Sequence, residues 1–315
     1  MQTILGANGQ IARELALELK RNYTADIRLV SRHPEKVNET DTLFPADLMD
    51  AALTAKAVEG SDIVYLTVGL PMDTARWVAQ FPIIMRNVIN ACKQHRAKLV
   101  FFDNTYMYPQ DDNPLTESSP FRPVGKKGQV RGAMAEMLLA EIAANSIDAV
   151  ICRAPEFYGP GNTQSITNSL IFDNIARGKT LKVLLRDDTL RTLIWTPDAS
   201  RATALIGNTP DAFNQTWHLP CDDNRLTYRQ FIAEASRIYG RELKYNIEKK
   251  WMLQLGALFN KRLKELQELL PRYAHNNIFD SSGFKQRFPG FKVTTYQQGM
   301  AIIKAEQVQK TAASR

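Results

Sequence analysis

A chain of 315 residues with 44% hydrophobic and 23% charged side chains has the composition of a globular protein with a large core, long enough for two domains. Its formal charge of +7 comes from scattered lysines and arginines without an aromatic-rich basic stripe, which argues against nucleic acid and for a basic surface with an anionic ligand. Three widely spaced cysteines (Cys92, Cys152, Cys221) do not make a disulfide framework and suit a reducing compartment. No apolar run approaches bilayer-spanning length, and a strand expected from residue 2 leaves no signal peptide, so a cytoplasmic protein without a membrane partner is expected.

The first strand is expected to end in the turn Gly6-Ala7-Asn8-Gly9-Gln10-Ile11-Ala12, which opens a helix with Ile11, Leu15 and Leu19 on one face. Gly6 permits a tight turn, Gly9 spares a pyrophosphate from meeting a Cβ, and the helix start presents N–H groups and positive dipole to the anion. Asn8, Gln10 and Ile11 complete the expected cradle. A second strand, Ile27-Arg28-Leu29-Val30, runs into Ser31-Arg32. A βαβ dinucleotide fold meets the adenosine ribose there, where an acidic residue accepts from the 2′-hydroxyl of NAD. Ser31 and Arg32 instead suit a 2′-phosphate, through charge-assisted bonds worth on the order of 1.5–3 kcal/mol each. NADP is therefore expected rather than NAD, the plain alternative being a surface arginine in a turn.

A third strand, Leu43–Leu48, sets Asp47 to accept from the adenine amine and Leu48 to lie against the ring; Asp47 could equally cap the helix starting near Asp50. The fourth strand, Ile63–Gly69, is a near-continuous apolar run, with Val68 and Gly69 at its carboxyl end leaving space for the cofactor. A helix restarted by Pro82 at its first turn and a fifth strand, Lys98–Phe102, follow. This rhythm predicts an α/β fold, a Rossmann-type doubly wound parallel sheet with a smaller C-terminal α/β substrate domain. The dinucleotide domain is expected over residues 1–165 with late return strands near 191–220, a substrate or lid domain over 166–305, and a frayed polar tail over 306–315. Chemistry belongs beyond the carboxyl ends of the strands, which puts Asp103-Asn104-Thr105-Tyr106-Met107-Tyr108 at the expected site.

Several segments in order resemble the extended short-chain dehydrogenase/reductases, the nucleotide-sugar epimerase and dehydratase group. The opening glycine turn is one. Met107-Tyr108-Pro109 is similar to the family's Val-Tyr-Gly, and Thr116-Glu117-Ser118-Ser119-Pro120-Phe121-Arg122-Pro123 to its approach to the active-site helix. Arg153-Ala154-Pro155-Glu156-Phe157-Tyr158-Gly159-Pro160-Gly161, Arg191–Ala199 and Trp217–Gln230 match its later segments. The resemblance implies a Tyr-x-x-x-Lys pair and a Ser or Thr after the fifth strand. Counting from Glu117, Pro120 and Pro123, the tyrosine position falls on Lys127, the lysine position on Arg131 and the serine position on Asn104, with Thr105 one further. Tyr245-x-x-x-Lys249 lies too far downstream to replace the pair.

Lys127 could donate a proton to an incipient alkoxide. Arg131 could hold a ribose hydroxyl or a phosphate but cannot act as a base. Pro155 is expected at the nicotinamide. Glu156 is a second candidate acid or base, unless it only pairs with Arg153. No metal site is indicated. The resemblance implies an NADP-dependent reductase, epimerase or dehydratase for a small carbonyl, alcohol or sugar-nucleotide; the altered pair leaves a dinucleotide-binding sensor or regulatory protein as the alternative. It also allows a homodimer through the helices near 76–94 and 128–145. Finally, Trp251, Leu255, Leu258, Leu266 and Leu269 at helical spacing predict a helix packed on the substrate domain, with a membrane-surface or dimer helix as the alternative.

Overall fold

Seven short strands make one parallel sheet: β1 (Gln2–Leu5), β2 (Ile27–Ser31), β3 (Thr42–Pro45), β4 (Ile63–Leu66), β5 (Lys98–Asp103), β6 (Ala149–Arg153) and β7 (Thr216–His218). Their order is β7-β6-β5-β4-β1-β2-β3. Registers such as Gln2 opposite both Ile27 and Ile63, and Leu99 opposite Ala149, are parallel throughout. The reversal of strand order beside β1 is the switch point at which such sheets bind ligands. The structure, a computed structural model, describes residues 1–313 and divides into two compact units. The first holds Met1–Tyr108, Phe121–Ala154 and Ala199–Leu219; the second holds Pro109–Pro120, Pro155–Asp198 and the chain from Pro220 onward.

Five helices accompany the sheet: α1 (Gln10–Asn22), α2 (Ala51–Val58), α3 (Thr74–His95), α4 (Lys126–Ala143) and α5 (Thr196–Gly207). Ile11, Leu15 and Leu19 of α1 are buried, as their four-residue spacing predicts. Strand residues alternate between faces. Val64, Leu66, Leu99, Phe101 and Ile151 pack under Trp77, Phe81 and Met85 of α3 and Met134 and Leu138 of α4. Tyr65 points the other way, to Gly207 of α5, where an added Cβ would collide with its ring and hydroxyl. Each such side chain, once buried, contributes roughly 1.5–3 kcal/mol before the cost of ordering the chain.

Several boundaries depart from the sequence reading. β4 stops at Leu66 and β3 at Pro45, because each strand leaves the ladder as the chain turns over the carboxyl edge. Pro82 does not begin a helix: α3 runs through it, and Val78, four residues earlier, is exposed, so the carbonyl that loses its donor lies on the solvent side. The three cysteines are free and buried.

The second unit is built on short ladders. Glu156–Tyr158 pairs in parallel with Leu193–Trp195, and Leu181–Leu184 with Tyr245–Glu248. Leu190–Arg191 pairs antiparallel with Leu226–Thr227. Its core is aromatic, with Tyr158, Phe172, Trp195, Phe231 and Tyr296 in stacked, tilted and edge contacts. Residues 166–185 contribute a π-turn (Asn168–Phe172) and a strand to this core. The C-terminal segment is not frayed from 306: the helix Tyr296–Ala313 continues, held by buried Met300 and Ile303 and by Gln307 Nε2 donating to the Phe172 carbonyl at 3.1 Å. The last two residues of the expected tail lie outside the described residues. Among the described residues no helix is long and apolar enough to cross a membrane.

Candidate functional site

Gly6 is required by the fold itself. Its φ is +92°, and a Cβ there would stand 2.7 Å from the Val68 Cα. Gly6 and Ala7 both donate their N–H to the Val30 carbonyl, folding the turn onto β2. Gly9 is different. It is the extended N-cap of α1 at φ −77°, and a Cβ on it would meet only the Gly6 carbonyl oxygen, at an ordinary 3.5 Å. Among the described residues nothing demands glycine there. No side chain caps α1 and no acidic residue sits in its first turn, so its dipole end is not neutralised locally.

Asn8 ties this turn to the end of β2, its Nδ2 donating to the His33 carbonyl at 2.7 Å and its Oδ1 accepting from Ser31 Oγ at 3.2 Å. Arg32 is exposed beside it. Gln10 and buried Ile11 open α1, and the Ile11 carbonyl accepts from Ser200 Oγ at 3.0 Å. Asp47 is exposed and holds a turn, accepting from the Met49 N–H; the cap of α2 is Asp50, which accepts from the Leu53 N–H at 2.9 Å. Leu48 is buried in the core under α3 and α4. Val68 is half-buried over Gly6, and Gly69 is exposed with open space where its Cβ would be.

Beyond β5, Asn104 accepts from the Tyr106 N–H at 2.9 Å and so shapes a turn, while Thr105 is buried. Gly128 lets α4 press on that turn, since a Cβ would lie 2.5 Å from the Tyr106 carbonyl oxygen. The close approach buries Lys127 completely, and its Nζ donates to Thr74 Oγ1, at the start of α3, at 2.7 Å.

One turn further on, Arg131 is equally committed. Its Nε and one terminal nitrogen donate to Asp103 Oδ1 at 2.9 and 2.5 Å, and its guanidinium lies about 5 Å from the Phe81 and Phe101 ring centres. Arg153 donates to the other oxygen of Asp103 at 3.3 Å and to the Tyr108 hydroxyl at 2.6 Å, which shares a 2.8 Å hydrogen bond with His218 Nε2. Asp103 therefore has both oxygens occupied by guanidinium groups. Sequence reading passed over this chain of charges. Asp103 was expected at the site only as part of the segment after β5, and its arginines are 28 and 50 positions away, so no local spacing reveals the cluster.

Pro155 and Glu156 belong to the second unit. Glu156 does not pair with Arg153. Its carboxylate accepts from Arg191 at 3.1 Å, Thr167 Oγ1 at 2.7 Å and the Tyr228 hydroxyl at 3.2 Å, and Arg191 lies over the Tyr273 ring at 4.6 Å. Burial, with the Glu156 charge added, holds the Tyr228 hydroxyl above its ordinary pKa and so protonated. Register explains the partner: Glu156 lies opposite Leu193 in the ladder, two residues from Arg191. Tyr245 is likewise occupied, its hydroxyl donating to Asp187 at 2.6 Å.

A family model described as "NAD dependent epimerase/dehydratase family" matches residues 3–219. The chain belongs to this family. Among solved structures of similar fold are UDP-glucuronic acid 4-epimerase from Bacillus cereus in complex with NAD and UDP-glucose 4-epimerase from Thermus thermophilus in complex with NAD. The first is 15% identical with a TM-score of 0.79 over 98% of this chain and 99% of that one; the second is 14% identical with a TM-score of 0.76 over 98% and 99%. MoeE5 in complex with UDP-glucose and NAD is 17% identical, with a TM-score of 0.78 over 99% of each chain. A curated relative, uncharacterized protein y4nL of Sinorhizobium fredii (strain NBRC 101917 / NGR234), is 40% identical over 72 residues, 22% of this chain. The match covers only a fifth of that relative's own length (20%).

Lys127 and Arg131 are thus two buried cations one turn apart on α4. An ammonium can hand a proton to a developing alkoxide. The guanidinium, tied to Asp103, has its fork occupied, which leaves positioning of α4 on β5 as its main visible work.

Proposed function

We propose that this chain binds NADP across the start of α1 and acts as a reductase, epimerase or dehydratase on a small carbonyl, alcohol or sugar-nucleotide substrate. The observation that carries the reading is Gly9, a glycine the fold does not need, at an uncapped helix start beside a glycine it does need. Gly6, Asn8, Gly9, Gln10 and Ile11 would cradle the pyrophosphate. Val68 and Gly69 would border it, and Asp47 would meet the adenine. Leu48, buried in the core, would support the adenine site from beneath. Ser31 and Arg32 would take the 2′-phosphate; Arg32 is exposed and makes no ion pair among the described residues, which supports this assignment.

When bound, the nicotinamide supplies hydride transfer. Lys127 would then protonate the substrate oxygen, with the Thr74 hydroxyl orienting its ammonium. Asn104 and Thr105 would hold that oxygen, while Glu156, engaged by Arg191, Thr167 and Tyr228, would serve the second unit's own packing. The UDP-sugars named for all three of the related structures make such compounds the first substrates to try.

A second reading, a dinucleotide-binding sensor or regulatory protein, is favoured by one observation: Arg131 is spent on Asp103, so the ribose contact implied for this position lacks its cation. Fluorescence titration with NADP and NAD tests the cofactor. Tighter NADP binding, equalised by Arg32→Ala, is expected; equal affinities in the unaltered protein reject the NADP assignment. Lys127→Ala should abolish turnover of any substrate found among UDP-sugars and small carbonyls. Tight NADP binding with no turnover across that panel would favour the sensor.

A further inference from the structure

Of the expected apolar stripe, Leu269 is buried and Leu266 half-buried, whereas Trp251, Leu255 and Leu258 do not pack inward. Two short helices, Lys250–Ala257 and Lys261–Leu266, form a hairpin in which Leu253 is buried and Leu263 and Leu266 are half-buried against the core of the second unit. Gly256 lets the helices approach, a Cβ there falling 2.7 Å from Leu263 Cδ1, and Asn260 caps the second helix by accepting from the Arg262 N–H at 2.9 Å. Gln267 Nε2 donates to the Leu253 carbonyl at 3.1 Å and anchors the hairpin from inside. The outward side carries Trp251 (65% exposed), Leu255 (56%), Leu258 (73%) and Phe259 (88%). The other three tryptophans, Trp77, Trp195 and Trp217, are buried.

Charge names the partner. Between residues 249 and 266 the chain carries five basic side chains (Lys249, Lys250, Lys261, Arg262, Lys264), all exposed, against one acidic residue, Glu265, which is half-buried, as is Glu268 just beyond. The adjoining Glu248 carboxylate is met by Lys182 at 3.0 Å. A two-fold contact between copies would bring these cations face to face. An anionic bilayer surface receives both features, the apolar ridge among acyl chains and the cations among headgroups. We propose that the 250–266 hairpin docks the protein on an anionic membrane surface, seating Trp251, Leu255, Leu258 and Phe259 at the headgroup boundary. This surface stands apart from the NADP reading and departs from the expectation of no membrane contact.

The test uses the full chain with vesicles of phosphatidylcholine alone and of equal parts phosphatidylcholine and phosphatidylglycerol. Co-sedimentation with the anionic vesicles at low salt is expected, with a blue shift and acrylamide protection of tryptophan emission that Trp251→Phe removes. The paired variants Leu258→Ser with Phe259→Ser, and Lys250→Glu with Arg262→Glu, should each lower partitioning by roughly tenfold or more. Their exposed positions predict unchanged melting temperatures, so loss of binding is separable from loss of fold. Absence of anionic-vesicle binding, or undiminished binding by both variants, overturns the proposal. So does a dimer in light scattering that Phe259→Ser dissolves, which would assign the ridge to a second copy.

Discussion

Asp103 shows how much one side chain can depend on two others. It is fully buried and carries one charge against two guanidinium groups, each of which also meets an aromatic ring. Removing one member leaves an uncompensated buried charge. Asp103→Asn should therefore cost about 3–5 kcal/mol in urea unfolding; a cost below about 1 kcal/mol would mean the cluster is solvated in solution. Gly6 and Gly9 separate structure from ligand in the same way. Gly6→Ala should destabilise the chain, because both its positive φ and the approach of Val68 exclude a Cβ. Gly9→Ala should leave the melting temperature within a degree or two while weakening the proposed dinucleotide binding, since only a ligand would meet the added methyl. Equal affinity in Gly9→Ala would remove the cradle.

At the scale of elements, α4 is placed by glycine and charge as well as by its buried stripe of Val130, Met134 and Leu138. Gly128 brings it onto the turn after β5, Arg131 pins it to that strand, and Lys127 is buried as a consequence. In the second unit the strand Tyr245–Glu248 is fastened through Asp187, which accepts from Arg229 at 3.1 Å and from the Tyr245 hydroxyl. The Arg229 hydrogen bond is the main cause that holds the Asp187 carboxyl below its ordinary pKa, opposed by partial burial. A depressed folded-state pKa stabilises above the unfolded value, near pH 4, and the benefit disappears as pH falls through the folded one. Acid unfolding midpoints should thus rise in pH for Asp187→Asn, whose stability should also vary less with pH below about 4. An unchanged acid transition would place Arg229 in solvent rather than on the carboxylate.

Across the whole molecule, the sheet, the opening helix and the family were legible in the sequence, because parallel strands buried on both faces read as apolar runs and the glycine turn sits between a strand and a helix. What short-range pattern could not carry was partnership. Glu156 was open to Arg153 nearby and found Arg191, because ladder pairing, not sequence distance, brings ions together. The stripe at Trp251, Leu255 and Leu258 had a helical period but no sign of which way it faced; tight packing at Gly256 and Leu263, with Leu253 turned inward, left it outside. Periodicity states that a face is apolar, and only the surrounding packing states whether that face is covered. The sequence by itself therefore determined the local rhythm of strands and helices, since backbone dihedrals and side-chain period are short-range. Tertiary structure alone decided which charges are spent on one another and which remain for a ligand, because burial and ion pairing depend on residues tens of positions apart.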